Sequence, residues 1–257
     1  MRDLINFYDS ELSAVINPAD VISPVPDFPG ICVSTFSAAI VDKFAAMDGV
    51  RIISQIYTAN GSVPVYQTEY KGSPIAFYLS AVGAPACVAG FEEVHAMGAG
   101  TFVWFGSCGV LNHETVQDRL IIPERAIRED GTSYHYAPPA GEITQPETSV
   151  RALAAAMDQL NRPYVRGKVW TTDAIYRETG GKVREKRDSG CLAVEMECAA
   201  LLAASQFRKV KFAQFLYTAD SLSNESWEAR DLSDHGLGSA DAYMEIAFET
   251  GIRLHQS

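Results

Sequence analysis

Apolar residues along the chain fall into two alternating kinds of stretch. Short runs rich in β-branched and aromatic residues predict strands: 31–36 (ICVSTF), 75–85 (IAFYLSAVGAP), 101–111 (TFVWFGSCGVL), 119–127 (RLIIPERAI), 168–176 (KVWTTDAIY) and 211–223 (KFAQFLYTADSLS). Between them lie segments with helical spacing. Residues 37–47 open on Ser37 as a natural N-cap, and 147–160 place Val150, Leu153, Met157 and Leu160 on one face. Residues 86–99, 193–207 and 240–256 read as further helices, the second on its Ala, Leu, Met and Glu content. Strands that take turns with helices predict an α/β fold. Residues 137–147 (APPAGEITQPE) read as a surface loop, and no repeat or linker divides residues 1–257 into more than one domain.

The strands share a way of ending. STFS, SAVGAP, GSCG, TTDA and TADS all follow apolar runs with small or polar residues. In α/β sheets ligands bind beyond the carboxyl ends of strands, so five converging ends predict a small-molecule pocket. GSCG (106–109) in particular reads as a loop of the smallest side chains closing the strand 101–105, with Trp104 just before it.

Composition narrows the partners. A formal net charge of -11 argues against nucleic acid or an anionic membrane, which clustered Lys and Arg would recognise. It leaves a neutral small molecule open. Five cysteines without tight spacing do not make a disulfide framework, and five scattered histidines predict no metal site. The N-terminus lacks a signal-peptide core and no run approaches a membrane span, so a cytoplasmic location is expected.

Candidate chemistry concentrates in two carboxylate clusters. In VEMEC, Glu195 and Glu197 stand two apart at the start of an apolar segment and cannot share one helical face, so one of them turns inward or toward the helix cap. A carboxylate with two accepting oxygens suits a vicinal diol; a solvated or dipole-stabilised glutamate is the plainer alternative. Asp220 closes the strand AQFLYTAD, where it is either a general acid at a pocket mouth or a turn-capping residue. Cys108 has no His or Asp partner nearby in sequence and reads as a wall residue rather than a nucleophile.

FGSCGVL, AVEMECAAL, TTDAIY, TADSL, the stretch EYKGSPIAFYLSAVGAPAC and GTSYHYAPP, in this order over roughly residues 30–250, resemble the nucleoside phosphorylase family of purine nucleoside phosphorylases, uridine phosphorylases and related nucleosidases. The resemblance implies a central mixed, twisted sheet flanked by helices, with residues 1–30 as an N-terminal extension of undefined role. It implies an enzyme, nominally a glycosyltransferase of purine salvage, that cleaves the N-glycosidic bond of a purine nucleoside. Glu197 then accepts the ribose hydroxyls, Met196 packs on the sugar, and Glu195 and Ser80 belong to the same substrate-binding set. Ser107, Cys108 and Gly109 lie against the base, with Ile175 or Tyr176 closing over it. Asp220 protonates N7 of the leaving purine, and Arg230 positions it. A homodimer or hexamer is implied, with inorganic phosphate as co-substrate and no other cofactor.

The chain departs from the family pattern where phosphate is held. Ala39 stands at the arginine of the first-strand turn, Trp104 at the arginine before GSCG, and a residue near Gly61 at the arginine lent by a neighbouring subunit. Thr35, Ser37, Ser80 and Ser107 remain as hydroxyl donors around the nucleophile, and Arg125, Arg177, Arg184 or Arg230 are candidate replacements. Three readings follow: a phosphorylase with an atypical phosphate site, a nucleosidase that uses water, and a nucleoside-binding protein without turnover.

Overall fold

The computed structural model describes residues 6–223 and 227–257. In chain order the elements are α1 (Pro18–Val21), β1 (Ile31–Thr35), α2 (Ala38–Ala45), β2 (Arg51–Thr58), β3 (Gly61–Tyr70), β4 (Ser73–Leu79), α3 (Ala84–Met97), β5 (Thr101–Val110), α4 (His113–Val116) and β6 (Leu120–Glu129). There follow α5 (Ser133–Tyr136), β7 (Glu142–Thr144), α6 (Glu147–Gln159), β8 (Tyr164–Thr172), α7 (Gly180–Asp188), β9 (Cys191–Glu195), α8 (Cys198–Arg208), β10 (Lys211–Ser221) and α9 (Ala240–Gln256).

The strands form one mixed sheet in the order β10-β6-β8-β9-β5-β1-β4-β3-β2, with β7 on β6. β10 also pairs with β5, so the β5-β9-β8-β6-β10 part closes into a ring while β1, β4, β3 and β2 extend from β5 as an open wing. β4, β1, β5 and β10 run parallel and side by side, which brings their carboxyl ends to one edge. β9 meets β5 antiparallel, through Gly109 with Val194 and Val110 with Ala193, so its own end arrives at the same place.

Each face of the sheet is covered. One core packs Phe102, Trp104 and Phe212 against α3 and α8, whose Ala199, Ala200, Ala203 and Ala204 let the helix lie close. The other packs Val33, Phe105 and Phe215 against α2, α6 and α9. The helical stripe of 147–160 faces this second core as its spacing predicts. On α9, a Cβ at Gly251 would come within 2.7 Å of Ile31, so only glycine allows the helix to approach β1 this closely.

Three local expectations are corrected. GSCG is strand, not loop: β5 runs through Val110 because β10 on one side and β9 on the other satisfy its backbone. Residues 193–207 are not one helix: Cys191–Glu195 is strand β9, and α8 begins only at Cys198. Residues 142–144 of the expected loop form β7 on β6. Residues 18–30, outside the family pattern, join the core through a Val25 N–H bond to the Met97 carbonyl and through Phe28 packed beneath Gly98. Among the described residues no helix is long and apolar enough to cross a membrane.

Candidate active site

The edge where the strand ends meet is organised around two glycines of β5. Gly109 pairs with Val194 of β9 on one side and with Asp220 of β10 on the other. The β10 register slips between Thr218 and Asp220, making Ala219 a bulge residue. A bulge re-aims the side chain that follows it, and Asp220 is turned over Gly109: its Oδ1 lies 3.5 Å from where a glycine Cβ would stand. Its Oδ2 accepts a 2.9 Å hydrogen bond from the indole Nε1–H of Trp227.

The VEMEC segment divides its two glutamates by role. Glu195 ends β9 and folds forward onto α8. Its Oε2 accepts the backbone N–H of Glu197 at 2.8 Å and of Cys198 at 2.6 Å, while its Oε1 accepts the Thr171 hydroxyl. Thr171 in turn accepts the Ala199 N–H at 3.0 Å. Glu195 is thus the cap of a helix N-terminus, where orphan N–H groups and the helix dipole favour a carboxylate. Both of its oxygens are engaged within the protein. Glu197 Oε1 accepts the Gly83 N–H at 2.6 Å from the β4–α3 turn, and the Met196 backbone also hydrogen-bonds to its carboxylate. Gly83 adopts φ of 96°, a backbone turn that brings its N–H toward the carboxylate and favours glycine.

Burial pushes the carboxyls of both Glu195 and Glu197 up from the ordinary range, and for Glu197 the neighbouring Glu195 charge adds to it. Burial likewise raises the Cys108 thiol, reinforced by the charges of Asp220 and Glu195. The thiol donates to the Tyr217 carbonyl at 3.4 Å. It is therefore a neutral wall beside the two carboxylates, not a nucleophile. Glu178, just after the short turn Ile175–Arg177, completes the group. Burial first, then the Asp220 charge, pushes its carboxyl up to about 7. A cavity of about 470 Å³ adjoins this edge, lined by Pro85, Val88, Gly131, His135, Tyr136 and Asp173 among others.

Three residues toward the strand's N-terminal end, the surroundings of Gly106 are different. The Phe36 ring sits so close that a Cβ on Gly106 would meet its Cδ2 at 2.6 Å. Behind it Trp104 is fully buried, ringed by Tyr78, Phe91, Phe102 and Phe212 at 5.7–6.1 Å between centroids. Its indole N–H has no oxygen or nitrogen partner among the described residues and faces the Cys87 thiol. Trp104 is core rather than site lining. Two of the hydroxyls expected here are engaged elsewhere, and a third is not. Ser37 accepts the Ile40 N–H and caps α2, and Ser80 donates to Cys87 at 3.1 Å. Thr35 is buried with its hydroxyl unpaired.

Among the expected site residues, the structure thus gathers Glu197, Cys108, Gly109 and Asp220 at one edge, with Met196 half-buried beside Glu197. Ser107, two residues before Gly109 on β5 and therefore on the same face of the strand, is exposed and lies beside Tyr217. Ile175 and Tyr176 stand exposed at the rim. Arg230, expected to position Asp220, instead approaches His113 Nδ1 at 3.3 Å and Glu228 at 3.5 Å. Glu178, Trp227 and Phe36 are participants that sequence reasoning missed. No motif marks them: Glu178 and Phe36 meet their partners from segments that follow other strands, and Trp227 reaches back seven residues to Asp220.

The family model of the phosphorylase superfamily matches residues 33–243. The chain belongs to the phosphorylase superfamily. Among relatives of this superfamily, a guanosine phosphorylase of Halorubrum lacusprofundi is 25% identical over 60% of this chain, which spans 64% of that protein, just under two thirds. A uridine phosphorylase of Treponema pallidum is 26% identical over 69% of this chain and 72% of its own length. In fold, the chain superposes on a uridine phosphorylase from Vibrio fischeri with a TM-score of 0.73 at 20% identity, covering 92% of this chain and 99% of that one. It superposes equally on an AMP nucleosidase from Bacteroides thetaiotaomicron, with a TM-score of 0.71 at 20% identity and 88% of each chain covered. Solved proteins named as a uridine phosphorylase and as an AMP nucleosidase therefore share this fold.

Proposed function

We propose that the chain cleaves the N-glycosidic bond of a purine nucleoside. Glu197 accepts the ribose hydroxyls, Met196 packs against the sugar, and Asp220 protonates the departing base. The bond between C1′ and the base nitrogen breaks with its electron pair going to the base. The Asp220 proton passes to N7, and a nucleophile closes on C1′ as positive charge develops on the sugar. The observation that carries this reading is the bulge at Ala219. It turns the Asp220 carboxyl over Gly109, the same glycine whose other neighbour strand leads into Glu197.

On the nucleophile, phosphate is the nominal co-substrate by kinship with the phosphorylases. A second reading, hydrolysis by water, is favoured by one specific observation: the Phe36 ring covers Gly106, while Trp104, at the family's arginine position, is buried in the core. A phosphate dianion gains from charge-assisted hydrogen bonds and is costly to desolvate against aromatic carbon, whereas water needs no cation. Incubation with a panel of purine nucleosides, with and without inorganic phosphate, tests both. Release of base only with phosphate, together with a sugar phosphate, supports phosphorolysis. Release of base and free ribose without phosphate supports hydrolysis. Nucleoside binding with no base released in either buffer overturns the enzymatic reading.

A further inference from the structure

From the Trp227–Asp220 contact we infer that Trp227 is the positioning residue for the acid, holding one carboxylate oxygen so that the other faces the leaving base. The inference rests on Asp220 being the acid. Three observations carry it. The indole Nε1–H donates to Asp220 Oδ2 at 2.9 Å, and Oδ1 of the same carboxylate lies 3.5 Å from where a Cβ on Gly109 would stand, beside Leu222 and Val194. The strand segments before and after Trp227 are tied together, because Ser221 and Glu228 exchange backbone hydrogen bonds of 2.9 Å in both directions. Arg187 of α7 adds a 2.9 Å bond to the Ser223 carbonyl. The indole itself is 63% exposed, so it is not held there by burial in the core. An exposed tryptophan whose only polar atom is committed to a site carboxylate is best accounted for by that commitment.

The choice of donor has a chemical consequence. A carboxylate with two free oxygens rotates about its Cβ–Cγ bond, and proton delivery to a base nitrogen requires one orientation. A neutral indole N–H fixes that orientation through a single bond without placing a positive charge on the acid. Arg230 is turned to His113 and Glu228 instead.

The test uses the full chain and two readouts. Trp227→Phe keeps the ring and removes the N–H. It should lower kcat about tenfold on a purine nucleoside, with KM within about twofold, the loss expected for one hydrogen bond to a charged group. On a ribosyl p-nitrophenol, whose leaving group departs without a proton, the same variant should keep wild-type kcat. Trp227→His, which retains a ring N–H, should recover part of the loss. Equal losses on both substrates, or no loss on either, would overturn the assignment.

A second arm needs no turnover. Trp104 and Trp170 are buried and constant, so subtracting the Trp227→Phe spectrum isolates Trp227 emission. That isolated emission should change in intensity when Asp220→Ala removes its acceptor. Unchanged emission would show that the bond does not form in solution. If no nucleoside is cleaved at all, this arm still decides the contact while the enzymatic reading falls separately.

Discussion

Gly106 and Gly109 lie three residues apart on one strand and serve opposite environments. Around Gly109 stand Asp220, Val194 and Leu222, with the Glu178 carboxyl near Asp220 and Glu197 following β9, the strand paired with Gly109. Around Gly106 stand Phe36 and, beneath it, the aromatic cage of Trp104. The carboxylates of the proposed reaction are present, while at the family's arginine positions stand Ala39 and the buried ring of Trp104. One half of a reaction site can therefore be rebuilt without disturbing the other, because strand pairing holds the two glycines in place whatever covers them.

The largest effect should come from forcing the missing cation back. Trp104→Arg places a guanidinium among Tyr78, Phe91, Phe102 and Phe212. It should destabilise the fold by about 3–5 kcal/mol, as an unpaired buried charge does, read from urea midpoints. No phosphate dependence should appear; a stable variant that binds phosphate would break the comparison. Next, Glu197→Ala removes the diol acceptor and should lower kcat/KM, or nucleoside affinity, by about 100-fold, as two charge-assisted hydrogen bonds would predict. Glu195→Gln should act first on stability, by about 1–3 kcal/mol, because it weakens the N–H bonds at the start of α8. Equal behaviour of the two glutamate variants in binding and in denaturation would dissolve the division of roles.

The two glycines themselves give a smaller and sharper contrast. Gly109→Ala sets a methyl against Leu222, Val194 and the Asp220 carboxyl, whereas Gly106→Ala meets the Phe36 ring alone. Both should cost about 1–3 kcal/mol of stability by overpacking, but only the first should reduce kcat in steady-state assays of base release. The smallest effect concerns Glu178. Its folded carboxyl, at about 7, lies above its ordinary value of 4.5, so the folded state binds the proton more tightly than the unfolded one. Wild-type stability should then fall as pH rises from about 4.5 to about 7. Glu178→Gln should be the more stable protein above that window and equal to wild type below it, by denaturant midpoints at pH 4 and pH 8.

Much of the fold was readable from spacing alone. The stripe of 147–160 and the helix 240–256 follow from helical periodicity, which survives because each helix buries one face against the sheet. The main parallel strands are equally plain as apolar runs. VEMEC was harder: its composition favours helix, yet its first two residues complete a strand and its first glutamate caps the next helix. Propensity loses there to pairing with β5 and β8, partners that lie more than twenty residues away in sequence. GSCG failed as a loop for the same reason.

By itself the sequence determined the family, the α/β alternation, the carboxylates Glu197 and Asp220, and the absence of arginine at positions 39 and 104. Motifs and side-chain types are local properties, so they can be read without coordinates. Only the tertiary structure decided that Glu195 caps α8 while Glu197 accepts the Gly83 N–H, that Arg230 turns to His113 while Trp227 bonds to Asp220, and that Phe36 covers Gly106. Each of these depends on which strand ends stand side by side, and on where a one-residue bulge points the side chain after it.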